Sequence, residues 1–233
     1  MSRIPIGLVV YTALTAALLL SSLALIFFNT PADATLGIVQ KIFYFHVSAA
    51  IAMMLCLSAG SMLSLLDLVS PAERIDALAR AGIETGVLFA LMVLTSGPLW
   101  ARKSWGQWWD WEPRLTLTLL LLLLAVAVLG IRAMAPEGKG RRIGAALATL
   151  AAPLAWFIHV AVEKWGGTHP MVLKGGGIQS PQMQMTFRIS LLAILSLAGL
   201  LWTLRFRGLR LEQQLARVQL ELSAQTLRQQ SRS

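Results

Sequence analysis

Charge and cysteine are scarce in this 233-residue chain: 13% of positions are Asp, Glu, Lys or Arg, and cysteine occurs once. Soluble globular chains carry about 25% charged residues, so water is not the only solvent to which this sequence is suited. A single cysteine excludes an internal disulfide, a C-x-x-C redox pair and a C-x-x-C-H attachment motif alike. Cys56 falls inside an apolar run and reads as a small core residue. The Walker pattern G-x-x-x-x-G-K-[ST] is also missing. Gly175-Gly176-Gly177 has no Lys-Ser or Lys-Thr after it, so any ATP use must come from partners. Histidines number three, with no H-x-x-x-H spacing that would suit zinc.

What the chain has instead is long apolar blocks. Hydrophobic residues make up 56% of it and gather in six runs, 6–28, 42–66, 82–100, 115–131, 143–162 and 187–204. Crossing a hydrocarbon core of about 30 Å takes about 20 such residues in a helix. In lipid a spanning run must satisfy its own backbone, which a helix does internally. Barrel strands would alternate in polarity at every second residue, and these runs do not. The expected fold is therefore all-α, a polytopic membrane protein with six transmembrane helices. Arg3 and Ala32-Asp33-Ala34 give run 6–28 some look of a secretory signal. Its apolar stretch exceeds the usual signal core of about 7–15 residues, so an uncleaved first helix is expected.

If the N-terminus is cytoplasmic, thirteen of the twenty Lys and Arg residues lie in inner segments and seven in outer ones. That excess places both termini in the cytoplasm. The net charge of +9 then reports topology and attraction to anionic lipid, not nucleic-acid binding. In the inner segment 67–81, Ser70-Pro71-Ala72-Glu73 has the form of a capping box with proline at the first helical position, which predicts a short helix there. Segment 132–142 reads as a basic, glycine-bearing connection. The chain divides into a transmembrane domain, 1–205, and a polar cytoplasmic tail, 206–233. In the tail Leu211, Leu215, Val218 and Leu222 make one apolar stripe of about two heptads, short for a coiled coil. A surface helix on the membrane or on a partner is expected.

The outer segments differ in kind. Segment 29–41 holds little chemistry, whereas 101–114 is dense in tryptophan and 163–186 is rich in glycine and holds a histidine. Trp105, Trp108, Trp109 and Trp111 place four of the eight tryptophans within seven positions, interleaved with Asp110, Glu112 and Arg114. Tryptophan is enriched at membrane interfaces, but such belts scatter aromatics over many helix ends. Clustering in one segment suits a flat apolar ligand with an ionised edge. His46 lies a short way inside the outer end of the second run, where an imidazole is expensive and is a functional candidate by default. Helix-packing hydrogen bonds are the plain alternative. His159, beside Trp156 and Phe157, and His169 gather toward the same membrane face. A heme fits this combination: its iron takes one or two imidazoles, its ring wants aromatic walls, and its propionates want a cation such as Arg114, Lys103 or Arg102.

The run from Trp105 to Thr116, WGQWWDWEPRLT, resembles the tryptophan-rich WWD signature of heme-handling proteins of cytochrome c maturation. Chain size, six spans and the contexts Tyr44-Phe45-His46-Val47 and Gly167-Thr168-His169 are similar to the heme exporter protein C (CcmC) family. The larger CcmF and CcsA-type relatives carry more spans and more histidines. The resemblance implies His46 and His169 as axial ligands to heme iron. It implies a platform of Trp105, Trp108, Trp109, Asp110 and Trp111, with Arg114 at the motif's arginine. His159 matches no family ligand, and local hydrogen bonding at the interface is expected of it. The resemblance further implies a non-enzymatic role in a bacterial inner membrane. There heme b would be bound transiently and non-covalently at the periplasmic face and passed to a periplasmic heme chaperone, CcmE. The implied partners are the ABC transporter subunits CcmA and CcmB and the small membrane subunit CcmD. A b-type cytochrome is the rival reading, but stacked hemes need histidines at both faces, and none lies toward the inner one. A secondary transporter would show internal repeats and broken midplane helices, and neither is clear.

Overall fold

A computed structural model describes residues 5–32, 36–134, 138–166 and 180–230. The elements are α1 (Ile6–Ala24, continuing as a wider turn over Leu25–Asn29), a short 3-10 turn at Ile38–Lys41, α2 (Ile42–Val69), α3 (Glu73–Trp105), α4 (Pro113–Met134), α5 (Lys139–Ala148), α6 (Ala151–Trp165) and α7 (Pro181–Gln230). They form six helical passages long and apolar enough to cross a membrane, with α5 and α6 together making the fifth. Six passages put the described ends of α1 and α7 at one end of the bundle and the 106–112 segment at the other.

Small residues let the passages approach. A Cβ on Gly60 of α2 would lie 2.9 Å from Ile83 Cγ1 and 3.2 Å from the Ala79 carbonyl of α3. A Cβ on Gly86 of α3 would meet the Leu57 side chain at 2.6 Å, so the two glycines seat one helix against the other. Lipid offers no hydrophobic drive for this pairing, and close packing replaces it. Between α1 and α7 the glue is polar. Tyr11 donates to the Ser196 carbonyl at 2.8 Å, Thr15 meets Ser196 at 2.8 Å, Ser22 donates to Ser190 at 2.8 Å and Thr30 meets Thr186 at 2.8 Å. These hydroxyls are sheltered from lipid in pairs, which removes the cost of burying each alone.

The fifth passage is broken for a local reason. Pro153 has no N–H, and its ring crowds the carbonyl four residues back. Helix α5 ends at Ala148 and α6 starts at Ala151. The buried Ser61 of α2 repairs the gap, donating to the Thr149 carbonyl at 3.0 Å and accepting the Ala152 N–H at 3.1 Å.

Two expectations need correction at the opposite end from the tryptophans. No separate helix occupies 67–81: α3 begins at Glu73 and runs unbroken to Trp105. The capping box does not form either. Ser70 caps the C-terminus of α2, and Asp67 Oδ1 accepts the Ala72 N–H at 3.1 Å. The basic connection is also more than a topology signal, because Arg132 pairs with Asp76 and Arg141 pairs with Asp67. Beyond them Glu84 pairs with Arg80 and Arg205, and Glu73 with Arg217. The tail is helical as expected, but it is the uninterrupted end of the 50-residue α7. At 1.5 Å per residue α7 is about 75 Å long, more than twice a hydrocarbon core.

Candidate functional site

Helix α2 starts at Ile42, which puts His46 in its second turn, half-buried, facing the outer part of α3. Its Nδ1 lies 2.9 Å from Ser96 Oγ, and that hydroxyl donates to the Met92 carbonyl at 2.6 Å. The serine hydroxyl thus ties the imidazole to the α3 backbone and fixes the orientation of the ring. A hydrogen bond to one ring nitrogen of a histidine is the usual way to orient the other toward a metal. Gly97 makes room for the ring, since a Cβ there would stand 3.1 Å from His46 Cε1. Pro98 lies inside α3, and the helix continues past it to Trp105.

Gly106 ends α3 in the left-handed region, with φ +80°, and its N–H bonds the Arg102 carbonyl at 3.2 Å. Glycine adopts that conformation without a steric penalty and is the common way to stop a helix. The Arg102 guanidinium donates back to the Gly106 carbonyl and stands 6.0 Å from the Trp108 ring centroid. The chain then crosses 107–112 and enters α4 at Pro113, a residue suited to the first helical turn because its missing N–H is not needed there. Arg114 follows in the first turn of α4.

These elements enclose a cavity of about 320 Å³ between the outer ends of α2, α3, α4 and α6. That volume is at the small end of ligand pockets, which run from about 300 to 1,000 Å³. Its walls are mostly apolar, with Met53, Met54 and Ile158 among them. His46, Arg114, Trp105 and Trp109 all line it. The tryptophan segment is thus divided. Trp105 and Trp109 face the cavity, whereas Trp108 and Trp111 are 56% and 73% exposed and lie outside its lining. Trp109 and Trp111 meet edge to face, with centroids 5.6 Å apart. Trp109 Nε1 is sealed from solvent and has no hydrogen-bond partner among the described residues. A donor in that state is an affinity for an acceptor. Of the three cations considered for a ligand carboxylate, only Arg114 lines the cavity.

Asp110 is half-buried outside the lining, and Glu112 is buried at the entrance to α4. His169 lies outside the described residues. His159 borders the same cavity from α6. Sequence reasoning misses Trp100, which lines the cavity and meets Trp105 edge to face at 5.3 Å. Ending the third run at residue 100 hides it; continuing the helix through Gly97-Pro98 places both rings on α3. Ser96 carries no signal in the sequence, because a serine four residues after Met92 usually serves only its own helix.

The sequence model of the family described as heme exporter protein C matches residues 5–223. Curated relatives carry the same description. The one from Rhodobacter capsulatus is 36% identical over 107 residues, which is 45% of this chain and 43% of that protein. In the Escherichia coli K12 relative the match is 29% identical over 183 residues, 77% of this chain and 74% of the relative. The Bradyrhizobium diazoefficiens relative is 30% identical over 186 residues, 78% of this chain and 70% of its own length.

Proposed function

The chain belongs to the heme exporter protein C family, and we propose that it receives heme b in the cavity beside His46 and surrenders it at the periplasmic face to the chaperone CcmE. It is a multi-pass membrane protein with a role in heme export for cytochrome c maturation. The single observation that carries the reading is the convergence of His46, Arg114, Trp105 and Trp109 on one apolar cavity at one end of the bundle. An imidazole suits the iron, indole faces suit the porphyrin, and a guanidinium suits a propionate. His169 is the second axial ligand in this reading. Both termini lie in the cytoplasm of the bacterial cell, as the basic residues favour. Trp108 and Trp111, exposed beside the cavity, are the surface on which the chaperone meets the cargo. Export energy comes from CcmA and CcmB, with CcmD as a fourth subunit. No bond in this transfer is redox or covalent on the protein's side: heme is cargo, and the chain is no enzyme.

The test is an absorption spectrum of the purified, heme-loaded protein, repeated with His46→Ala. A Soret band with low-spin visible bands is expected in the wild type, and loss of the low-spin form in the variant. A wild-type protein with no Soret band after loading would sink the heme reading. An unaltered low-spin spectrum in His46→Ala would remove that ligand while leaving heme binding in place. Capture of CcmE by the loaded protein, weakened by Trp108→Ala or Trp111→Ala, tests the transfer step.

A further inference from the structure

The last third of α7 has two faces, and only one of them is used by the described residues. Trp202, Phe206 and Leu209 pack on Ala77 and Ala81 near the start of α3. Trp202 Nε1 donates to the Leu78 carbonyl at 3.1 Å, Gln213 donates to the Glu73 carbonyl at 3.3 Å, and Arg217 pairs with Glu73. These contacts hold α7 in line with its membrane passage as far as Arg217, so this part does not fold down onto the bilayer. At about 100° per residue, Leu211, Leu215, Val218 and Leu222 lie on the opposite side of the helix. Each is more than half exposed, and no described element covers them. Apolar side chains at alternating steps of four and three make the seam of a coiled coil. About two heptads are short for one in free solution, but two copies confined to one bilayer meet at a far higher effective concentration.

We propose that this stripe pairs with the same stripe of a second copy of the chain, as a parallel coil projecting from the bilayer at the end opposite the tryptophans. The inference is independent of the heme reading. Membrane insertion gives both copies one orientation, which forces the parallel arrangement. In such a pair a residue on one flank of the seam faces the residue five positions later on the other copy's opposite flank. Arg207 of one copy then faces Glu212 of the other, and the two-fold symmetry repeats the contact. Gln214 faces Gln219, and Glu221 faces Thr226. No like charges meet across the seam and the one ionic contact is attractive, so the stripe is complementary to itself. Within the chain Glu212 meets Arg205 at 2.9 Å, an exposed pair weak enough to share its carboxylate. Arg210 and Arg217 stay out of the seam, because both turn to Glu73 on the other side.

Disulfide trapping of the full chain in membranes tests this, since Cys56 is buried and offers no competing thiol. Under mild oxidation Leu215→Cys and Leu222→Cys, on the seam, should give mostly linked dimers, and Ala216→Cys, off the seam, few. In lipid nanodiscs the native mass of the wild type should be that of two chains, and Leu215→Asp combined with Leu222→Asp should halve it. Arg207→Glu should weaken the dimer, and adding Glu212→Arg should restore it, which a loss of folding would not do. A wild type with the mass of one chain, equal trapping at residues 215 and 216, or a charge swap that fails to restore pairing overturns the proposal. So does a seam cysteine that links to a different polypeptide, or one shielded from thiol reagents only when anionic vesicles are added.

Discussion

The two ends of this bundle use similar residues to opposite effect. At the end opposite the tryptophans, acids and arginines are matched: Asp67 with Arg141, Asp76 with Arg132, Glu84 with Arg80 and Arg205, Glu73 with Arg217. Toward the tryptophans the polar groups face a cavity. Trp109 Nε1 is buried with no hydrogen-bond partner among the described residues, and His46 Nδ1 meets the Ser96 hydroxyl at the cavity wall. Burying an indole N–H without a partner is costly, so such a group persists where something else uses it. One end closes the fold on itself, and the other keeps capacity for a guest.

The comparison breaks most easily at the matched end. The Arg132 side chain is 8% exposed, and removing its partner leaves a buried guanidinium uncompensated. Asp76→Ala is expected to lower stability by about 3 kcal/mol, read as a fall in the detergent melting curve, with the heme spectrum unchanged. A wild-type melting temperature in this variant would show that the ion pairs are decoration. Next in size is Ser96→Ala at the open end. Losing a group that orients a ligating histidine costs on the order of 10-fold in affinity. Heme titration should show that loss, Ser96→Thr should recover most of it, and the melting curve should barely move. Trp109→Ala should weaken heme retention several-fold, whereas Trp108→Ala, outside the lining, should leave retention intact. Equal losses from both would dissolve the division of the tryptophan segment. Smallest of all is Arg217→Ala: its pair with Glu73 is solvent-exposed, and the melting temperature should not shift measurably.

Much of this is legible in the amino-acid order alone. Six apolar runs translate directly into six passages, because lipid leaves the backbone only one economical arrangement for a run of that length. Tryptophan clustering and the depth of His46 point to the end of the bundle where the cavity lies. The failures have local causes. Ser70-Pro71-Ala72-Glu73 has the letters of a capping box, yet the Ser70 N–H is spent on the Leu66 carbonyl of α2, and Asp67, three residues upstream, accepts the Ala72 N–H ahead of α3. Run boundaries drawn by hydrophobicity cut α3 at residue 100 and so separate Trp100 from Trp105, although Pro98 does not end the helix. His159 matches no known ligand position, and nothing in its neighbours along the chain reveals what α2 and α4 bring beside it.

The sequence by itself determined the number of membrane-spanning passages and which end of the bundle gathers the tryptophans, since each follows from composition or spacing along the chain. Tertiary structure alone decided which residues share the cavity. Trp105 and Trp109 turn inward while Trp108 and Trp111 stay outside, and His46 and His159 line one cavity across more than a hundred residues of chain. It also decided that Arg132 and Arg141 are locked in pairs and not merely markers of topology. The physical reason is the same in each case. A helix dictates its own length and faces, but what a face meets depends on how closely its neighbours can approach. Here Gly60, Gly86 and Gly97 set that distance.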